Sequence, residues 1–202
     1  MKYVIKFLFL NIIILVPIIM AGCAGSKYGI HSMLNSSKDP VIYGKPSENS
    51  NLVIIFKDGL NANSQDIELL KKELSKGLTS TTKFRSITTK SLTETSSVTG
   101  EPSLSLLIYY FNTNRADWAK RATGKHSSIK VAGKLLSADK TPLLDFSRGH
   151  VGSGGILNVG GLATASADSM IESQIGWVVE DIVSDIMAAF AYTPSPKNES
   201  NN

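Results

Sequence analysis

The sequence has little of what disulfide-stabilised proteins and metalloenzymes use. Cys23 is the one cysteine in 202 residues, so an internal disulfide is excluded. The three histidines, His31, His126 and His150, lack the pair spacing of a zinc site. No basic block interleaved with aromatic residues is present, which argues against nucleic acid as a partner. We therefore expect no metal, no cofactor and no nucleic-acid partner.

The first residues have the order of an export signal. Lys2 and Lys6 supply positive charge, and the run from Phe7 to Ile19 is apolar except for Asn11 and Pro17. This length suits the core of a signal peptide and is shorter than the about 20 apolar residues that a spanning helix needs. The segment is therefore predicted to direct export and then to be removed.

Cys23 follows this run directly, after Met20, Ala21 and Gly22. The arrangement resembles the lipobox of bacterial lipoproteins, which implies cleavage between Gly22 and Cys23 and a diacylglyceryl lipid, with palmitate as a typical chain, on Cys23. Two acyl chains would hold the protein at a membrane. The alternatives are an ordinary secretory signal that leaves a free thiol, or an anchor that is not cleaved.

The residue after the cysteine is Ala24 rather than aspartate, which resembles the sorting pattern of outer-membrane lipoproteins. We expect the protein in the cell envelope, lipid-anchored, at the outer membrane and facing the periplasm. Without Lys2 and Lys6 the mature chain has 19 basic and 17 acidic side chains, so it is close to neutral.

Composition divides the chain into four segments. Residues 1–22 are the predicted signal peptide, 23–50 the lipidated cysteine with a flexible tether, 51–192 a globular domain and 193–202 a disordered tail. The tether is rich in glycine, serine, asparagine and proline, which favour turns. As an alternative, Val41 to Tyr43 can form a short strand.

Hydrophobic periodicity predicts an α+β (or α/β) domain with the element order β-α-β-β-β-β-α. We expect a single, largely antiparallel sheet of four to five strands, covered by two helices. The predicted strands span residues 52–56, 83–89, 103–111, 129–135 and 142–147. The first helix is predicted to begin after a cap at Asn63 or Ser64 and to end at Gly77.

The strand 103–111 alternates, which places Ile108 and Tyr110 on one face and Tyr109 and Phe111 on the other. The last helix, about 165–192, has an apolar stripe that is predicted to cover the sheet. The stripe consists of Ile171, Ile175, Val178, Val179, Ile182, Ile186 and Phe190. The opposite face is predicted to be acidic through Glu172, Glu180, Asp181 and Asp185. Alternatively the helix docks a partner or self-associates through Trp177.

Two irregular segments are the candidate functional loops. Residues 112–126 surround a tryptophan with cations, a composition that suits a contact surface. The candidate contact residues are Arg115, Trp118, Lys120, Arg121 and Lys125. A plainer interpretation packs Trp118 on the sheet edge. The glycine-rich segment 149–161 precedes the last helix and is a candidate anion loop, with Gly152, Ser153, Gly154 and Gly155 as its candidate ligands.

Each catalytic motif lacks one or two required residues in these loops. A dinucleotide fingerprint requires glycine where Leu157 stands, and a nucleophile elbow around Ser153 requires glycine where Val151 stands. A phosphate-binding loop around Gly124 and Lys125 lacks its first glycine and its final hydroxyl residue. Serine, histidine and aspartate at 153, 150 and 145 are too common to indicate a triad. We expect a protein that is not an enzyme.

The second half of the chain, from Arg121 through the strand at 129–135, the residues Leu143 to Phe146, the glycine-rich segment and the last helix, resembles small bacterial envelope lipoproteins. The element order is also similar to the small periplasmic domain of curli-secretion lipoproteins and of the Tol-system β-propeller protein. These resemblances imply a noncatalytic binding or assembly module for envelope proteins. The alternative is a lipoprotein that binds a small anion through residues 149–161. The oligomeric state stays open.

Overall fold

The computed structural model describes residues 37–91, 103–116, 127–152 and 167–193. This part of the chain forms six strands and two helices. They are β1 (Lys38–Ile42), β2 (Ser50–Phe56), α1 (Ser64–Ser80), β3 (Phe84–Ser91), β4 (Ser103–Asn114), β5 (Ser127–Leu136), β6 (Pro142–Gly152) and α2 (Ala167–Ala191). Neither of these helices is long and apolar enough to cross a membrane. The predicted signal peptide, Cys23 and most of the predicted tail lie outside the described residues.

A single sheet holds the six strands in the order β1-β6-β5-β4-β2-β3. The pairings β1 with β6, β6 with β5 and β5 with β4 are antiparallel, whereas β2 runs parallel to both β4 and β3. The parallel strands β2 and β3 are joined through α1, because parallel neighbours need a crossover connection. The predicted α+β domain, with one sheet and two helices, is confirmed for the described residues.

The sheet has more strands than predicted, because part of the predicted tether 23–50 is structured. β1 pairs with β6, and Ile42 lies opposite Leu144. Pro40 is tolerated here since β1 is an edge strand and needs hydrogen bonds on one side only. β1 shares Val41 and Ile42 with the strand that was the alternative interpretation, but it begins at Lys38 and ends before Tyr43.

Both helices pack on one face of the sheet, which we call the covered face. α1 contributes Leu70, Leu74 and Leu78, each fully buried. α2 contributes the predicted stripe, and its side chains are all at most 5% exposed: Ile171, Ile175, Val178, Val179, Ile182, Ile186 and Phe190. The stripe covers the sheet, as its periodicity predicted.

α1 does not end at Gly77, as the sequence pattern predicted, but continues to Ser80. Gly77 lies where α1 crosses α2. A Cβ added at Gly77 would lie 3.1 Å from Val183 Cγ2 and 3.3 Å from Val179 Cγ1. The glycine therefore allows the two helices to approach closely, and it is not a helix stop.

A β-bulge in β4 changes which side chains face outward. β4 advances two residues, from Ile108 to Tyr110, where β5 advances one residue, from Gly133 to Ala132. Tyr109 is the extra residue. Because a bulge sets two successive residues against one on the partner strand, Tyr109 and Tyr110 lie on the same side of the sheet.

The bulge makes the predicted alternation of β4 wrong beyond Ile108. Ile108 and Phe111 are both fully buried, whereas Tyr109 and Tyr110 are 38% and 39% exposed. Gly133 accounts for the close approach of the two strands at this point, since a Cβ there would lie 2.7 Å from the Leu107 carbonyl oxygen.

β6 also extends further than predicted. The segment 149–152, predicted as the start of a glycine-rich loop, forms the last residues of β6. It pairs in antiparallel register with 127–130 of β5, and Gly152 lies opposite Ser127. Because β5 supplies backbone partners for this segment, its glycines are held in a strand.

Candidate binding face

The side of the sheet opposite the helices, which we call the open face, exposes large apolar side chains. Val41 and Tyr43 are 50% and 55% exposed, and the two tyrosines of the bulge, Tyr109 and Tyr110, are 38% and 39% exposed. Within the described ranges, no helix lies over this face. Large exposed apolar side chains that share one surface mark a binding site more often than single ones do.

Strand register aligns a row of side chains across the open face. Tyr110 lies opposite Ala132, Ala132 opposite Ser147, and Ser147 opposite Lys38. Two small side chains thus lie between two long ones, and the surface dips over β5 and β6. The depression measures about 410 Å³, and we call it the trough.

Charged groups lie along the trough. Lys134 Nζ is 3.2 Å from Asp145 Oδ2, and the Tyr43 hydroxyl donates to the same oxygen at 3.4 Å. The hydrogen bond to Asp145 raises the pKa of Lys134. Asp145 Oδ1 is buried and has no hydrogen-bond donor in the structure described. Lys38 and Lys130 also line the trough, and neither forms an ion pair with a described residue.

These groups can bind a ligand in two ways. The tyrosine rings offer flat apolar area with a polar edge, and tyrosine is enriched at binding hot spots. The two lysines attract negative charge.

Arg115, one of the predicted contact residues, is held by two carboxylates. Its Nη1 and Nη2 donate to Asp66 at 2.7 and 2.6 Å, and its Nε donates to Asp168 at 2.8 Å. Thr113 Oγ1 donates to the same Asp66 carboxylate at 2.8 Å. The hydrogen bonds to Asp66 raise the pKa of Arg115, opposed by its partial burial. Arg115 therefore links the end of β4 to the first turns of both helices.

A second arginine fixes α2 to the sheet on the covered face. Arg148 Nε donates to Asp185 Oδ2 at 2.6 Å, and Nη2 donates to Asp185 Oδ1. Burial raises the pKa of the Asp185 carboxyl, and the hydrogen bonds from Arg148 oppose that rise. Each charge of this pair thus offsets part of the free-energy cost of removing the other from water.

The predicted acidic outer face of α2 is therefore wrong for two of its four residues. Asp185 is 5% exposed and bonded to β6, and Asp181 Oδ2 lies 3.0 Å from His150 Nε2. Glu172 and Glu180 are exposed, as predicted. The i,i+4 spacing turns the two aspartates toward β6, where Arg148 and His150 supply partners.

The imagined triad of residues 145, 150 and 153 does not assemble in the described part. Asp145 lies on the open face beside Lys134, whereas His150 lies on the covered face beside Asp181 and the Trp177 ring. The described residues also hold no group of three or more His, Cys, Asp or Glu side chains that could bind a metal ion.

Most other predicted site residues lie outside the described residues, and their roles stay predictions. They are Gly22 and Cys23 of the lipobox, Trp118, Lys120, Arg121 and Lys125 of the contact loop, and Ser153, Gly154 and Gly155 of the anion loop. Gly152 is described, and it ends β6.

The trough was not among the sites that the sequence predicted. The available signals were two adjacent tyrosines in an alternating strand and a glycine, Gly133, in the middle of the next strand. A glycine inside a strand often marks a bulge. The register that joins Lys38 to the row could not be read from the sequence, because β1 is separated from β6 by about 100 residues.

No protein-family model and no curated protein matches the chain. Among solved structures, a PelC dodecamer variant from Paraburkholderia phytofirmans aligns with a TM-score of 0.47 at 9% identity, over 74% of this chain and 98% of that one. A second PelC dodecamer from that organism gives 0.43 at 10% identity, over 72% and 95% of the two chains. A minor lipoprotein from Acinetobacter baumannii gives 0.38 at 13% identity, over 69% and 94%. TM-scores below 0.5 leave the function unassigned.

Proposed function

We propose that this chain is a lipid-anchored, noncatalytic binding module of the bacterial cell envelope, and that its open face holds a protein partner. The anchor is the lipidated Cys23 that the lipobox implies. The observation that carries the proposal is the pair of adjacent tyrosines, Tyr109 and Tyr110, that the bulge sets together on the open face.

The two faces of β4 support this role. Phe111 and Ile108 point into the core, so the bulge keeps the fold intact while it adds a second tyrosine to the outside. A strand with regular alternation would expose one of the two rings. The bulge thus doubles the aromatic area beside the trough, and rigid aromatic area stabilises protein interfaces at low entropic cost.

Crosslinking in intact cells tests the proposal. The full-length protein is crosslinked with a cleavable amine reagent, purified through a tag, and compared with the double variant Tyr109→Ser and Tyr110→Ser. We expect a discrete protein partner with the native chain and at least a tenfold loss of it with the double variant, at equal abundance. Tyr192→Ser, a tyrosine at the end of α2, is the matched control and should retain the partner. An unchanged partner profile in the double variant would contradict the proposal.

The anchor has its own test. The intact mass of the mature protein should correspond to a chain that begins at Cys23 and carries a diacylglyceryl group. Cys23→Ser should release the protein from the membrane fraction. A mature protein with a free thiol, or one that begins at Met1, would remove the anchor from the proposal.

A further inference from the structure

The trough has the width of one α-helix. Its walls stand on β4 and β1, with β5 and β6 between them. Since neighbouring strands lie about 4.8 Å apart, the two walls are separated by about 14 Å. An α-helix with its side chains measures about 10–12 Å across, so one helix fits between the walls. An extended strand would leave part of that width empty.

The floor of the trough suits close helix packing. Ala132 and Ser147 are opposite each other, and the next pair along the strands is Lys130 with Gly149. Small side chains at the centre let a helix backbone approach the sheet. On the covered face, α2 already packs against these same two strands. A helix in the trough would give β5 and β6 a helix on both sides.

The length of the trough sets the number of contacts. The outward residues from Lys130 to Lys134 on β5 span about 13 Å, which corresponds to about nine residues of helix. A helix of that length presents anchors at positions i, i+3 or i+4, and i+7, the pattern of helix-in-groove recognition.

The charged side chains of the trough indicate which charge a docked helix should carry. Lys134 is neutralised by Asp145, but Lys38 on β1 and Lys130 on β5 have no carboxylate partner within the described part of the chain. Both lysines and Asp39 line the trough, and two lysines against one aspartate leave a net charge of +1 beside the Lys134–Asp145 pair. Negative charge on the occupant is therefore favoured.

We propose that the trough receives one amphipathic α-helix of the partner protein, with apolar side chains on Ala132 and Tyr110 and acidic side chains beside Lys38 and Lys130. This inference rests on the proposed function, and it adds the shape and the charge of the docked element.

Site-specific photocrosslinking in intact cells tests the inference. The photoreactive residue p-benzoylphenylalanine replaces Val41, at the wall of the trough, in the full-length protein. Its matched control replaces Lys72, an exposed residue of α1. Mass spectrometry of the Val41 adduct should identify a partner segment with apolar residues at helical spacing and aspartate or glutamate beside them. A basic segment, a segment without helical spacing, a second copy of this chain, or a glycan or lipid adduct would each overturn the inference.

Charge reversal separates this inference from the proposed function. Lys38→Glu combined with Lys130→Glu should lower the recovered partner at least about fivefold. Lys38→Arg with Lys130→Arg, and Lys72→Glu, should leave it unchanged. If the tyrosine double variant loses the partner while the charge reversal keeps it, the acidic helix is wrong and the binding face stands. If neither lowers the partner, both proposals fail.

Discussion

Alternate residues of the same strands form the covered face and the open face of the sheet. The two faces differ in how many of their charged side chains have ion-pair partners. On the covered face, Arg148 is bonded to Asp185, and His150 lies beside Asp181. On the open face, Lys38 and Lys130 lack carboxylate partners in the described structure, and the bulge tyrosines are exposed. Buried charge has to be compensated, whereas an outer surface can keep charge available for a partner. The contrast supports the proposal that the covered face stabilises the fold and the open face binds a partner.

The largest expected effect contrasts two adjacent residues of β4. Phe111→Ala should lower the free energy of unfolding by about 3–5 kcal/mol, because it empties a fully buried site. Tyr110→Ala should cost less than about 1 kcal/mol, since its ring is largely outside the core. Urea denaturation of the two variants measures both values. Equal costs, or a larger cost for Tyr110→Ala, would show that the bulge is absent.

The second prediction concerns the paired charges of the covered face. Arg148→Ala should cost about 3 kcal/mol, because it leaves the Asp185 carboxylate buried without its partner. The double variant Arg148→Met and Asp185→Leu should recover most of this loss, since no unpaired charge then remains. Thermal denaturation compares the single and double variants. A double variant that is no more stable than Arg148→Ala would show that the charge was not the cause.

The third prediction concerns two glycines, whose substitution should have effects of opposite sign. Gly133→Ala should destabilise the protein by about 2–3 kcal/mol, because the new Cβ would lie 2.5 Å from Phe146 Cζ and 2.7 Å from a backbone oxygen. Gly176→Ala in α2 meets no atom within 4 Å and should stabilise the protein by about 0.5–1 kcal/mol. Calorimetry of both variants gives the sign directly. A neutral Gly133→Ala would contradict the close approach of β4 and β5.

Local sequence patterns predict the helices and strands well, but they do not predict the contacts between these elements. The apolar stripe of α2 consists of seven residues, and each of them is buried. The predicted helix end at Gly77 is wrong, because this glycine makes room for Val179 and Val183 of the other helix. Likewise, the alternation of β4 fails at Tyr109, where the cause is Gly133 on the neighbouring strand.

The candidate site is formed by contacts between residues that are far apart in the sequence. The predicted contact loop and anion loop were chosen by composition, and their one fully described cation, Arg115, is held by Asp66 and Asp168. The trough instead depends on the register of four strands, which joins Lys38 to Tyr110 through Ala132 and Ser147. No local pattern contains that register, because it is set when distant segments pair.

Hydroxyl-radical footprinting of the full-length protein, in native membranes and after purification in detergent, tests the central claim most directly. If the open face holds a partner, Tyr109 and Tyr110 should be oxidised at least fivefold more slowly in the membranes than after purification. Tyr192, which directly follows α2 and is partly exposed, should react equally in both. Equal oxidation of the two tyrosines in both preparations would show that the open face is unoccupied in the cell, and the account would be contradicted.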